Sequence, residues 1–594
     1  MVLVVLLCKG MQNPRLVHLQ FSQDLVPFSH SNAGRNFSQL GTPEFLVLDI
    51  SYKAQWSWRT SSSCKALLLT VMAATHWTWA YLSVCAIVAL SVVRAIHKAA
   101  RLRGTMPPGP PGLPLLGNAL QVGASSWLQF TQWKEKYGPI ISLNLAGQPV
   151  ILINNANIAA DLLDRRSKTY SSRPRFILAG EVLTRGMFAP LLQANNLWRR
   201  MRRAFHDGIG TNILASRSIH SLQESVAAAL VSHILHEPAR FEQHFLFASA
   251  STMLHMVYGW PLSRIETEGA PVIAGTDNLV HRIAQASAPG VQLVEMFPPL
   301  SSLPECVAGW KKNGRLAFEK NSAMYVQLME SVKKDIHAGI AEPCLGARLV
   351  KDEKYGMSML EQAWTAGTAL IAGTDTTAAA MQVFILAMLL HPSTMQKAQQ
   401  EIDSVVGRER LPVMADWQQL PYIQAVVREV LRWRPIAPLG APHVSSRDDW
   451  YAGYFIPKGT IMIQNVWAIN RDPDYFPDFD TFRPERYLDP ACPGNLIDVM
   501  PQTHGYGHTS FGAGRRIRPG RELANQSLFL ACATLLWAFD IQPAVHENGQ
   551  PILPSSTECV DKGLFVQPAP FQCKFLPRET EVPGIIQAAA RQDG

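Results

Sequence analysis

At 594 residues the chain exceeds what a single hydrophobic core usually serves, and it reads as one large body with an N-terminal appendage. With 47% hydrophobic residues, 17% charged residues and a mean hydropathy of +0.02, it is apolar for a soluble enzyme, which suggests contact with lipid. The formal charge of +8 is spread along the chain without a basic patch interleaved with aromatics, which argues against nucleic acid; an anionic membrane, an acidic electron donor and an ordinary solvated surface all fit it.

Residues 1–65 show no period that marks an element, and the opening "VLVVLLC" is too short for a secretory signal. Two readings stand for the extension: a disordered lumenal segment, in which Asn36 of "NFS" is a glycosylation acceptor, or a start assigned too early, with Met72 as the true one. Residues 66–93 contain no acidic or basic side chain other than His76 and are long enough to cross a bilayer once. Arg94, Lys98, Arg101 and Arg103 follow directly, against Lys65 alone before the segment, so the C-terminal body is expected on the cytoplasmic side. Residues 94–118 form a basic and then proline-rich hinge, in which "MPPGPPGLPLLGN" ends the anchor helix and separates it from the body.

The body spans residues 119–580, with a tail at 581–594. Gly138 to Asn155 alternates apolar residues around a Gly-Gln-Pro turn and reads as a hairpin. Helical patterns then dominate to about residue 440, the longest running from Leu360 to Pro392 and apolar on nearly every side, hence buried. Beyond Arg434-Pro435 the chain is irregular until a last helix after Gly520. The expected fold class is mainly α with a small β portion. The apolar run Val291 to Trp310 suits either a dip toward the bilayer or ordinary core packing. Nine cysteines lie far apart with no Cys-x-x-Cys, which argues against a disulfide framework or a zinc site and for a reducing compartment.

Several short motifs carry chemistry. "AGTDTT", Ala372 to Thr377, sets a glycine, an acid and hydroxyls inside the long apolar helix, where glycine costs about 1 kcal/mol and a buried acid needs partners or water. A functional reading gives the glycine to the close approach of a flat ligand or dioxygen, and Asp375 and Thr376 to proton delivery. "EVLR" places Glu429 and Arg432 on one helical face, "FRPERYL" supplies Arg486, and "SFGAGRRIRPG" forms a glycine-rich loop before the last helix.

Taken in order with the proline-rich hinge and Trp198-x-x-x-Arg202, these motifs resemble the cytochrome P450 family over roughly residues 100 to 580. The C-terminal segment is similar to fungal microsomal members of secondary metabolism, such as the tryptamine hydroxylase and aflatoxin-pathway oxidoreductases. The resemblance implies a P450 fold behind a membrane anchor and haem b as cofactor. It further implies electrons from NADPH through a cytochrome P450 reductase, an apolar small-molecule substrate, and a single-pass protein of the endoplasmic reticulum membrane. It assigns Trp198, Arg202, His443 and Arg516 to the haem propionates, Phe511, Gly514 and Gly520 to the cofactor loop, Asp375 and Thr376 to proton delivery, and Glu429, Arg432 and Arg486 to a structural lock.

One position departs from the family pattern Phe-x-x-Gly-x-Arg-x-Cys-x-Gly: the place of the iron-ligating cysteine is held by Arg518. A thiolate pushes electron density into iron, whereas a guanidinium keeps its proton and has no lone pair to offer. Cys492 and Cys532 fall outside the loop, and His508, three residues before Phe511, is the one candidate substitute ligand. Arg518 is therefore expected to abolish normal monooxygenase chemistry. It reflects either a sequence or allelic change, which the intact Asp375, Thr376 and Arg516 favour, or a natural pseudoenzyme, or an unusual haem protein.

Overall fold

The computed structural model describes residues 104–591 except 124, 288–291, 493 and 564, together with scattered positions between 78 and 93. The extension 1–65, most of the anchor 66–93 and the basic run 94–103 lie outside the described residues. Trp79, Tyr81, Leu82 and Leu90 within the anchor are described as helical and exposed.

The body is mainly helical, built around one long core helix, Met359–Leu390. Its start is fixed by a capping box: Ser358 Oγ accepts from the Glu361 N–H at 3.3 Å, and the Glu361 carboxylate accepts from the Ser358 N–H at 2.9 Å. It stops at His391 because Pro392 lacks an N–H and begins the next helix at its first position. Among the described residues this is the one helix long and apolar enough to cross a membrane, and it is buried inside the body. Phe241–Tyr258 packs along it so closely that a Cβ on Gly373 would stand 2.3 Å from Met253 Sδ. The mid-helix glycine thus lies against Met253 of the neighbouring helix, and both residues line the cavity described below.

The β portion centres on a four-stranded sheet in the order Ile140–Leu145, Gln148–Ile153, Ile461–Gln464, His443–Val444. The first two strands form the expected hairpin, with Leu145 paired to Gln148. The turn is Ala146-Gly147, both at positive φ, rather than Gly-Gln-Pro, because that backbone twist matches the twist of the strands. Gln148 and Pro149 already belong to the second strand. The proline-rich segment docks onto the outer strand instead of standing free: Ser142 N–H donates to the Pro108 carbonyl at 2.9 Å and Asn118 N–H to the Asn144 carbonyl at 2.6 Å. A Cβ on Gly109 would lie 2.0 Å from the Ser142 oxygen, so only glycine permits that approach. In the apolar run after residue 291, Val294 and Ala308 pack inward while Leu293, Phe297 and Val307 face solvent.

Beyond the core helix, Pro421–Trp433 carries Glu429 and Arg432 into the interior, both fully buried. Arg486 joins them, its Nε 3.2 Å from Glu429 Oε1, and donates further to the Pro477 carbonyl at 3.1 Å and the Thr481 carbonyl at 3.2 Å. Three charges so placed hold the irregular segment after residue 470 against the helical body.

Candidate active site

A cavity of about 330 Å³ lies between the core helix, the loop Ser510–Gly520 and the start of the helix Arg521–Ala538, with the helix Asn196–Ile209 and the segment before His443 closing it. Its lining is largely apolar, including Phe188, Phe205, Leu431, Ile436, Phe511 and Leu528.

One edge of the cavity is cationic. Asn195 caps its helix by accepting from the Trp198 N–H at 2.8 Å, and Trp198 and Arg202, one turn apart, both face the cavity. The Arg516 guanidinium sits 4.1 Å from the Trp198 ring centroid and donates to the carbonyls of Ser171 at 2.7 Å and Leu192 at 2.6 Å. Burial, with Arg173 and Arg202 nearby, pushes its pKa down to about 8. The Arg202 side chain has no hydrogen-bond partner among the described residues, and burial with the charge of Arg521 lowers its pKa to about 10. His443 is held by the Tyr170 carbonyl, 2.7 Å from Nδ1, and burial beside Arg173 and Arg516 keeps it neutral, well below its ordinary pKa. Arg173 joins this edge, donating to the carbonyls of Ala441 at 2.7 Å and Pro442 at 2.8 Å, with burial lowering it to about 9. Sequence reasoning missed Arg173: "SSRP" is an ordinary loop pattern, and only the tertiary fold brings it to the cavity.

The core helix presents Asp375 and Thr376 to the same cavity. Thr376 Oγ1 donates to the Ala372 carbonyl at 2.7 Å, a local bond that an incoming acceptor can exchange. Asp375 Oδ2 is buried with no partner among the described residues. Burial, and then the charge of Asp277, raises its pKa to about 6, so this carboxyl both holds and releases a proton near neutrality.

Across the cavity stands the loop. Gly514 has φ +59°, and a Cβ there would meet the Leu163 carbonyl oxygen at 1.9 Å, so glycine is required. Gly520 is under no such pressure, its nearest neighbour being Ile209 at 3.9 Å. The Arg518 N–H donates to the Phe511 carbonyl at 3.0 Å and closes the loop. The Arg518 side chain lines the cavity and makes no hydrogen bond or ion pair with any described residue; burial alone lowers its pKa. It lies just ahead of the Arg521–Ala538 helix, whose positive end favours an anion at this place and disfavours a cation.

The residues divide in their fit to haem. Arg173, Arg202, Arg516 and Trp198 form a cationic, partly unpartnered edge that suits propionate carboxylates. Position 518 does not suit iron, since a guanidinium at the positive end of a helix offers neither lone pair nor anion. The substitute ligands fail as well. His508 is buried between Tyr506 and Phe511 and does not line the cavity. Cys532 is buried in the following helix away from the cavity, and Cys492 is exposed.

The chain is similar to known proteins over most of its length. The family profile described as Cytochrome P450 matches residues 107–575. The chain is 48% identical over 488 residues to cytochrome P450 monooxygenase 58 of Postia placenta, covering 82% of this chain and 91% of that protein. It is 36% identical over 536 residues to cytochrome P450 monooxygenase iboC of Amanita muscaria, covering 82% and 94%. It is 34% identical over 502 residues to cytochrome P450 monooxygenase virE of Hypocrea virens, covering 84% and 89%. With a helical body, a cavity edged by arginines, an acid and an alcohol on its core helix, and relatives matched over most of their length, this chain belongs to the cytochrome P450 family.

Proposed function

We propose that this fold serves monooxygenation of an apolar small molecule of fungal secondary metabolism, a terpenoid, polyketide or indole. The observation that carries the reading is the pairing of a largely apolar cavity with Asp375, a buried carboxyl with one oxygen unpartnered among the described residues and a pKa raised to about 6, beside Thr376. The cationic edge supports haem b held by its propionates, with electrons delivered from NADPH by a cytochrome P450 reductase. The membrane segment 66–93 supports a body at the cytoplasmic face of the endoplasmic reticulum, where lipid supplies apolar substrates.

A second reading is favoured by one specific observation, the unpartnered guanidinium at position 518. In it the chain keeps the scaffold and binds without oxidising. The reduced, carbon-monoxide-bound absorption spectrum of microsomes carrying this chain, beside an Arg518→Cys variant, tests both. A thiolate-type Soret band in the variant alone supports an intact monooxygenase scaffold silenced at one residue. The same band in the unaltered chain means that another sulfur reaches iron and removes the second reading. Its absence from both removes the first.

A further inference from the structure

We infer that the body holds one resident water molecule in a small chamber beside the larger cavity, bound between the Gln223 amide and the Ser249 hydroxyl. The chamber has a volume of about 20 Å³ and lies where the helix Arg217–His236 meets Phe241–Tyr258, the core helix and Arg521–Ala538. One water needs roughly 10–15 Å³ and two to four polar partners, so the room suits a single molecule. Much of the wall is apolar, and Val226, Leu230, Met381 and Ala531 face this chamber and not the larger cavity.

The polar atoms in the wall are what require the water. Gln223 is 3% exposed and belongs to the chamber alone. Its Nε2 donates to Ser527 Oγ at 3.1 Å, while Oε1 is buried with no partner among the described residues. Turning the amide over exchanges the two atoms and still leaves one of them unpaired. Ser249, 4% exposed, also has a buried Oγ with no partner among the described residues. Its neighbours on the same helix are satisfied locally: Ser251 donates to the Phe247 carbonyl at 2.8 Å and Thr252 to the Ala248 carbonyl at 3.2 Å. A buried polar group without a hydrogen bond is costly, and Gln223 and Ser249 line the same chamber, so one water satisfies both. The Ser527 hydroxyl, which accepts from Gln223 and keeps a proton of its own to donate, supplies a third partner. Ser249 and Ser527 stand on the wall shared with the larger cavity, so the water ties the helix of Gln223 to the two helices that carry them.

The inference does not depend on what occupies the larger cavity, because Gln223 does not line it. A crystal structure of the full-length protein in detergent, at a resolution that shows ordered water, is expected to place one density peak within hydrogen-bond distance of both the Gln223 amide and Ser249 Oγ. An empty chamber, an amide turned to bond Ser249 directly, or a peak on Ser249 from the larger cavity alone overturns the inference. Denaturant unfolding of the full-length protein gives a second reading, decided by its sign. With the water in place, Ser249→Ala removes one of its partners and is expected to lower the folded-to-unfolded ratio by about fivefold; with the chamber dry, it removes an orphaned hydroxyl and raises the ratio. Gln223→Met lowers the ratio through the water and the bond to Ser527 together. The double variant is expected to lose at least about twofold less than the product of the two single losses, since both act on one shared water. A rise or no change in Ser249→Ala, or losses that multiply independently, overturns the inference.

Discussion

Glu429 and Arg432 meet through two parallel hydrogen bonds, Nε to Oε2 at 2.6 Å and Nη2 to Oε1 at 2.8 Å, with neither side chain exposed. Arg432 also donates to the Asn470 carbonyl at 3.0 Å, and the Asn470 side chain accepts from the Thr509 N–H at 2.9 Å. The pair is thereby tied to the loop that carries Arg518. Glu429→Gln leaves Arg432 and Arg486 as uncompensated buried cations and is expected to destabilise the body by about 3–5 kcal/mol. Denaturant unfolding beside a Glu305→Gln control, whose partner Arg315 is at the surface, checks this; a similar small loss in both would show that the buried network holds nothing.

Asp375 gives a pH dependence whose sign follows from its raised pKa. Unfolded, it releases its proton near 3.8, and folded it holds the proton until about 6. The folded state therefore binds more protons across that window, and stability falls as pH rises from about 4 to about 6, then stays level. Asp375→Asn removes this loss and is expected to gain at most about 3 kcal/mol above pH 6, with little change near pH 4. Chemical denaturation of both proteins across that range measures the gap; a constant gap at all pH values would mean that Asp375 titrates normally.

The two loop glycines make opposite predictions. A Cβ at Gly514 collides with backbone at a positive φ, so Gly514→Ala is expected to cost more than about 3 kcal/mol or to prevent accumulation of folded protein. Gly520→Ala meets only Ile209 in ordinary contact and is expected to change stability by less than about 1 kcal/mol. Thermal midpoints of the two variants decide it, and equal losses would remove the distinction.

Much of this was legible in the chain itself, for physical reasons. The core helix announces itself by nearly continuous apolar character from Leu360 to Pro392, whereas its start at the Ser358–Glu361 capping box emerges only in the fold. Asp375 and Arg518 stand out because each places charge where the surrounding residues promise burial. What stayed hidden depends on tertiary neighbours. Arg173 reaches the cavity only because two distant carbonyls hold it there, at Ala441 and Pro442. The hairpin turn starts one residue earlier than the sequence pattern suggests, since Gln148-Pro149 reads as a breaker while strand twist selects Ala146-Gly147.

Gly373 both lines the cavity and lies against Met253 of the neighbouring helix, and it supports the last prediction. From sequence a glycine two residues before Asp375 in a buried helix reads as room for a ligand; in the fold a Cβ there would also meet Met253 of the neighbouring helix, with Sδ at 2.3 Å and Cγ at 2.6 Å. Gly373→Ala gains about 1 kcal/mol of helix propensity but loses about 1–3 kcal/mol to overpacking, so it is expected to be destabilising overall. In a Met253→Ala background the collision is gone and the propensity gain remains, so the same substitution should become stabilising. A double-mutant cycle read by denaturant unfolding carries the comparison. If Gly373→Ala leaves stability unchanged in both backgrounds while ligand binding is lost, the glycine serves the cavity after all, and helix packing is not its reason for being there.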